Sequence, residues 1–314
     1  MDHSPQPRLT SQESPPGDAV SAIGDELLVF IVESLPGTTR EGGTSGARLF
    51  RDVYERRSEL RQPCPHAAHP LCAATRQEFL HFLDLVRQEV ERRPGSVLLQ
   101  LEAHGAEDLS GLVMTSGEVL GWGALGAALT GINIASRHRL WLFGALCFGG
   151  FSFKAVNFLD RAPFFAWIGP QRLVAEPVLE LAGVTFHEEF LRSEGDANRA
   201  FAEMEAAIAR QAAFGDDRVA MPPPAFILRS SHWLYDEMAR QSQGMIGSRS
   251  KRQRSADRIL THGRTAGHVD DSNVSMQRRR AREWQAHQPA VLRGPQRDRF
   301  LMIDLFPELR ERYA

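Results

Sequence analysis

The chain has 314 residues and is 42% hydrophobic, enough for one core of ordinary size with an appended segment. No run approaches the ~18 apolar residues of a membrane span, and three cysteines (Cys64, Cys72, Cys147) fit a reducing compartment rather than a disulfide framework. The net charge of −2 conceals an asymmetry: residues 245–299 carry thirteen Lys/Arg against five Asp/Glu, a net of +8, whereas residues 1–244 carry a net of −9.

Met1 to Gly24 is rich in Ser, Pro and Gly and lacks the apolar stretch of a signal peptide. It reads as a disordered leader, and a cytoplasmic location without a membrane partner is expected. Leu27 to Val32 is a six-residue apolar run, read as the first strand and ended by Pro36-Gly37. A Gly- and Thr-rich loop follows, and then Leu49, Phe50, Val53 and Tyr54 repeat at helical spacing. Residues 61–74 read as a connector. Thr75-Arg76-Gln77-Glu78 is a capping box, opening a helix that buries Phe79, Phe82, Leu83, Val86 and Val90 until Pro94-Gly95 stops it. Val97 to Gly105 is a strand ending in His-Gly. Residues 111–114 and 118–120 flank Thr115-Ser116-Gly117 as a hairpin. Leu125, Leu129 and Ile132 mark a crossover helix leading to the strand Leu140 to Cys147.

Phe151, Ala155 and Phe158 suggest a short helix, Phe164 to Ile168 a strand, and Asn198 to Phe214 an amphipathic helix capped by Asn198. This order predicts an α/β fold, a mostly parallel sheet flanked by helices. The expected division is a leader over 1–24, an α/β domain over 25–215, and an extension over 216–314. That extension holds a mobile Arg-rich segment, about 245–299, and an apolar tail beginning at Phe300 that should dock on a surface.

Two motifs bear on chemistry. One apolar strand ends in His104-Gly105; another ends in Ala145-Leu146-Cys147-Phe148-Gly149. Were these strands adjacent and parallel, His104 and Cys147 would emerge together at the carboxyl edge, where open α/β sheets place their sites. A His beside a Cys is the minimum equipment for thiolate catalysis.

A strand ending in His-Gly, a hairpin with Ser-Gly, Trp122, a crossover helix and a strand ending in Ala-Leu-Cys-Phe-Gly resembles the caspase-like cysteine peptidases. That group includes caspases, metacaspases and bacterial proteins with the CHAT domain, and the resemblance covers residues 25–215. It implies His104 as general acid/base, Cys147 as nucleophile, and the backbone N–H groups of Gly105 and Cys147 as oxyanion hole. Such donors are worth about 2.7–4 kcal/mol. Glu102, two residues before His104 on the same face, is a candidate to orient it. Arg40 in Arg40-Glu41-Gly42-Gly43-Thr44 resembles the caspase Arg-x-Gly-Thr loop that receives substrate aspartate, with the glycine spacing off by one. Arginine-specific members place an acid just before the nucleophile. Here Gly144, Ala145 and Leu146 stand there, so no acid-lined pocket for a basic substrate residue is evident.

The resemblance therefore implies a cysteine endopeptidase working through a thioester acyl-enzyme on a protein or peptide substrate, with a regulatory partner protein as a further candidate. The alternatives are a catalytically inactive caspase-like interaction module and, more weakly, a nucleic-acid-binding protein. The latter would use Arg278-Arg279-Arg280-Ala281-Arg282 and Trp284, which read better as a solvated basic linker. Cys64, His66, His69 and Cys72 lie within nine residues, but structural zinc sites usually split their ligands into separated pairs. The loop reads as polar surface, and no metal or cofactor is expected. Gly42-Gly43-Thr44-Ser45-Gly46 lacks the Gly-Lys-Ser/Thr of a phosphate-binding loop and reads as a flexible connection.

Overall fold

A computed structural model describes residues 26–35, 44–59, 66–146, 155–156, 160–170, 172–213, 226–236 and 294–313. The described residues up to Gly105 form β1 (Leu27–Ser34), α1 (Ser45–Leu49), a π-helical turn (Phe50–Glu55), α2 (Arg56–Glu59), β2 (His66–Ala67), β3 (Leu71–Cys72), α3 (Arg76–Arg92) and β4 (Ser96–Gly105). There follow β5 (Gly111–Val113), β6 (Val119–Gly121), α4 (Trp122–Ala135), β7 (Leu140–Ala145), β8 (Ala166–Pro170), α5 (Glu176–Arg192), α6 (Ala197–Ala213) and β9 (Phe226–Ser230). Helices α7 (Gly294–Phe300) and α8 (Leu309–Arg312) close the described chain. The nine described strands make one mixed sheet of order β2-β1-β4-β7-β8-β9, with β3 also on β1 and the β5–β6 hairpin attached to β4. The ladder from β2 to β8 is parallel, and β9 pairs antiparallel with β8. This is an α/β protein with a mostly parallel sheet flanked by helices.

The central strands read as near-continuous apolar runs because both faces are covered. Residues alternate between two cores. Leu28, Phe30, Val32, Leu99, Leu101 and Leu142 meet α3 and α4; Val29, Ile31, Leu98 and Phe143 meet the π-helical turn, α5 and α6. Helix α3 shows how the sequence dictates one such contact. The Thr75 side chain accepts from the Glu78 N–H (3.2 Å), and Glu78 accepts from the Thr75 N–H (3.1 Å). Phe79, Leu83, Val86 and Val90 then fall on one stripe, each at most 1% exposed and worth about 1.5–3 kcal/mol in burial. Phe82 lies beside the stripe and is only partly buried. The hairpin turns at Gly117, whose φ of +85° favours glycine.

Several elements differ from the sequence expectation. Strand β1 runs two residues further, through Glu33 and Ser34, because neighbouring backbone in β4 pairs with those polar residues as well. Part of the 61–74 connector is β2 and β3, which cover the edge of β1. Helix α5 is absent from the sequence expectation. Its apolar positions Val178, Ala182, Phe186 and Phe190 do recur every fourth residue, but Gly183 and Thr185 dilute the helical signal. The cap of α6 is Asp196 rather than Asn198: its Oδ1 accepts from the Arg199 N–H at 3.0 Å, and the helix begins one residue earlier than expected.

The core also continues past the expected boundary at residue 215. Strand β9 extends the sheet, and Phe300, Leu301, Met302, Ile303, Leu309 and Tyr313 join the same core as the buried faces of α5 and α6. The apolar tail thus docks on its own domain, where Arg161 clamps Asp304 through two hydrogen bonds of 2.7 and 2.9 Å. The leader and most of the Arg-rich segment lie outside the described residues.

Candidate functional site

Strands β4 and β7 are neighbours and parallel, with Glu102 opposite Ala145. His104 lies two residues beyond Glu102 and is exposed at the carboxyl edge. There His104 and Gly105 pair with Val113 and Leu112 of β5, so the hairpin braces the end of the strand. Cys147 lies two residues beyond Ala145 in the sequence, and Cys147, like Arg40, is outside the described residues.

Beneath this edge, one face of the sheet turns polar. Glu33 and Glu102 are register partners on β1 and β4, and each is 1% exposed. Gln100, one step earlier on the same face of β4, is 2% exposed. Helix α1 closes over them. The Thr44 hydroxyl donates to Glu33 Oε1 at 2.6 Å, and the Ser45 hydroxyl donates to Glu102 Oε2. Gly46 allows that approach, since a Cβ there would stand 2.5 Å from Glu33 Oε2 and 2.8 Å from Ile31 Cγ2. Gln100 Nε2 donates to Glu102 Oε1. Glu102 thus spends its carboxylate on Ser45 and Gln100, and no hydrogen bond joins it to His104 among the described residues.

Burial dominates the acid–base behaviour. The Glu102 carboxyl is pushed up to about 7 by loss of solvent, against the opposing pull of the Ser45 and Gln100 hydrogen bonds. The Cys72 thiol donates to Glu33 Oε1 at 2.8 Å. Burial, and then that bond to a carboxylate, push it up to about 12, which holds the thiol protonated and a poor nucleophile near neutrality.

A cavity of about 260 Å³ opens in front of this face. Gln100, Glu102 and His104 line it from β4, Ser45 and Arg48 from α1, and Glu176, Glu180 and Gly183 from α5. Arg48 is engaged by Glu176 (3.3 Å) and Glu180. Among the described residues, Gln100 Oε1 and Glu33 Oε2 are buried without a hydrogen-bond partner, and neither Glu33 nor Glu102 has an ion pair.

Of the residues at this site, the sequence points to His104 and Glu102 and not to Glu33, Ser45, Gln100 or Gly183. The signal for Gln100 was present: Gln100, Glu102 and His104 interrupt an apolar strand at period two, which marks one polar face. His69 and Cys72 have other partners in the fold. His69 packs its ring against Phe50 at 4.5 Å, Cys72 bonds to Glu33, and no cluster of three metal-ligating side chains occurs among the described residues. Cys64 lies outside those residues. Among the described residues, no helix is long and apolar enough to cross a membrane. No protein-family model matches the chain, and neither does any curated protein.

Proposed function

We propose that the protein is a cysteine endopeptidase using His104 and Cys147. One observation carries this reading: β4 and β7 are adjacent and parallel, in a register that sets Glu102 opposite Ala145. The two motifs picked from the sequence therefore follow from matched positions at the carboxyl edge, the edge open α/β sheets use for their sites. The exposure of His104 and its place beside a cavity add support.

The chemistry proceeds in two steps. The Cys147 thiolate attacks the scissile carbonyl and forms a C–S bond. Backbone N–H groups of Gly105 and Cys147 hold the oxyanion. The His104 imidazolium donates its proton to the leaving amine as the C–N bond breaks, leaving a thioester. Neutral His104 then takes a proton from water. The hydroxide attacks the thioester, the C–S bond breaks with the Cys147 thiolate as leaving group, the carboxylic acid departs, and His104 keeps the proton taken from water, restoring the thiolate–imidazolium pair.

The test is iodoacetamide labelling of the full chain at pH 7, mapped by mass spectrometry, alongside turnover of a peptide library by wild type and Cys147→Ala. The expected result is labelling of Cys147 with Cys72 silent, and loss of turnover in the variant. Labelling of Cys64 or Cys72 with Cys147 unmodified, or equal turnover in the two proteins, overturns the reading in favour of a catalytically inactive interaction module.

A further inference from the structure

The buried face beneath the His104 edge holds two carboxyl groups side by side. Glu33 and Glu102 are register partners on adjacent parallel strands, which lie about 4.8 Å apart. Each is 1% exposed, and neither forms an ion pair among the described residues. Burial opposes a charge on such a group, and a charge on one opposes a charge on the other. Arg48 of α1 acts against this on Glu102, but its guanidinium is bonded to Glu176 and Glu180. One proton held between the two carboxyls relieves the conflict.

The start of α1 seals that pair. Consecutive residues Thr44 and Ser45 donate their hydroxyls to Glu33 Oε1 (2.6 Å) and Glu102 Oε2. Beyond this first turn the chain is anchored, because Leu49, Phe50, Val53 and Tyr54 are buried in the core. Residues 44–48 can therefore lift about Leu49 while the following turn stays packed. Their outer link is the half-exposed Arg48 with Glu176 and Glu180 of α5, a kind of contact that adds little holding energy. Thr44, Ser45 and Arg48 also form one wall of the cavity that Gln100, Glu102 and His104 line from β4. The position of this turn sets the width of the cavity.

We propose that Glu33 and Glu102 share one proton and form a pH-operated latch on the first turn of α1, shut in acid and loosened as that proton is lost, so that pH controls access to the cavity beside His104. The consequence for turnover rests on the peptidase reading; the movement of α1 does not. Glu102 is faced by Glu33 of β1, Cys72 of β3 and Arg48 of α1, while Asp52, Glu176, Glu180 and His104 line the same cavity. With the latch shut, the Glu102 carboxyl keeps its proton up to about 7, chiefly through burial; lifted into water it returns to its ordinary 4.5. Between those values the shut form holds a proton that the open form has released. Opening therefore becomes easier as pH rises from 4.5 to 7, by up to about tenfold per unit, and is level above.

Amide hydrogen exchange on the full chain at pH 5 and pH 7.5, corrected for the intrinsic pH dependence of exchange, tests the latch. The reporters are the N–H groups of Arg48, bonded to the Thr44 carbonyl, and Phe50, bonded to the Gly46 and Ala47 carbonyls. The α3 amides from Phe79 to Val90 serve as the comparison. The expected result is that Arg48 and Phe50 lose tenfold or more of their protection at pH 7.5, at openings that leave α3 protected. Glu102→Gln, with folding checked by thermal melts, should abolish the fall. Glu33→Gln, which leaves one carboxyl in the same burial, should reduce it and serves alone if Glu102→Gln does not fold. Protection at Arg48 and Phe50 that is absent at pH 5, is equal at the two pH values, or falls in step with α3 overturns the proposal. So does a fall undiminished in the folded variants. Turnover of the peptide library in the same buffers separates the two readings. The pH-dependent fall without turnover of any peptide keeps the latch and overturns the peptidase. Turnover lost in Cys147→Ala, with protection independent of pH, keeps the peptidase and overturns the latch.

Discussion

Two buried polar clusters lie in this fold, and they differ in completeness. In the first, Asn133, His138 and Ser231 are each 0% exposed and mutually bonded. Asn133 Nδ2 donates to the Ala162 carbonyl (2.9 Å) and lies 3.0 Å from His138 Nδ1, while Asn133 Oδ1 accepts from the Leu140 N–H (3.1 Å). His138 Nε2 lies 3.1 Å from the Ser231 hydroxyl. The knot joins α4, β7 and the segment after β9, and it secures a turn in which Arg137 and His138 both hold positive φ, 55° and 62°. In the second cluster, Glu33, Gln100 and Glu102 are as deeply buried, yet Glu33 Oε2 and Gln100 Oε1 have no partner among the described residues. The lesson is that burial of a polar residue does not mark function. A closed network specifies the fold, whereas an open one beside a cavity retains capacity for a ligand.

The largest expected effect comes from breaking the closed cluster. Asn133→Leu removes partners from the Leu140 N–H, the Ala162 carbonyl and the His138 ring together, in a turn already held in an unfavourable backbone region. Each orphaned buried group costs about 1–3 kcal/mol, so a loss of about 3–5 kcal/mol is expected in urea denaturation at pH 7. A change under about 1 kcal/mol would show that the network is incidental to the fold.

The open cluster should respond to pH instead. Glu102 faces Ser45 and Arg48 of α1, Glu33 of β1, Cys72 of β3 and Gln100 of its own strand. Its native carboxyl stays protonated up to about 7, against 4.5 as its ordinary value. Between those values the native state holds a proton that the unfolded chain has released, so stability falls as pH rises from 4.5 to 7 and is level above. At about 1.4 kcal/mol per unit, the full effect is on the order of 3 kcal/mol. His187, buried and held down to about 3, acts oppositely: its contribution is present above 6.5 and lost as pH falls toward 3. The two offset each other between 4.5 and 6.5. Glu102→Gln removes only the first, so the variant should be about 1–3 kcal/mol more stable than wild type at pH 8 and close to it at pH 4.5. Denaturant titrations at the two pH values check this, and a difference independent of pH would argue against a protonated native Glu102.

The smallest effect belongs to Gly183→Ala. The added Cβ makes ordinary contact with the Gln100 amide and removes a helix-interior glycine from α5. Helix propensity then favours the variant by about 0.8–1 kcal/mol, visible as a rise of about 1–3 °C in melting temperature. A fall would indicate that the space over Gln100 is needed for packing in the empty protein.

Features set by neighbours along the chain were legible in the sequence. The capping box of α3, the Gly117 hairpin, the crossover helix α4 and the two-faced strands follow from hydrogen bonds and periodicities that span a few residues. The parallel pairing of β4 and β7 was within reach too, because a crossover helix between two buried strands leads to it. Tertiary structure alone decided what depends on distant partners. The register setting Glu33 beside Glu102 joins positions 69 residues apart in chain numbering, and the lid over that pair is the start of α1. The cavity exists because α5, whose helical signal is weak, brings a glycine over Gln100. The tail and β9 complete a core whose extent no local pattern conveys. A strand reveals which residues share its face, but which charge, hydroxyl or empty space meets that face is settled only when remote elements pack against it.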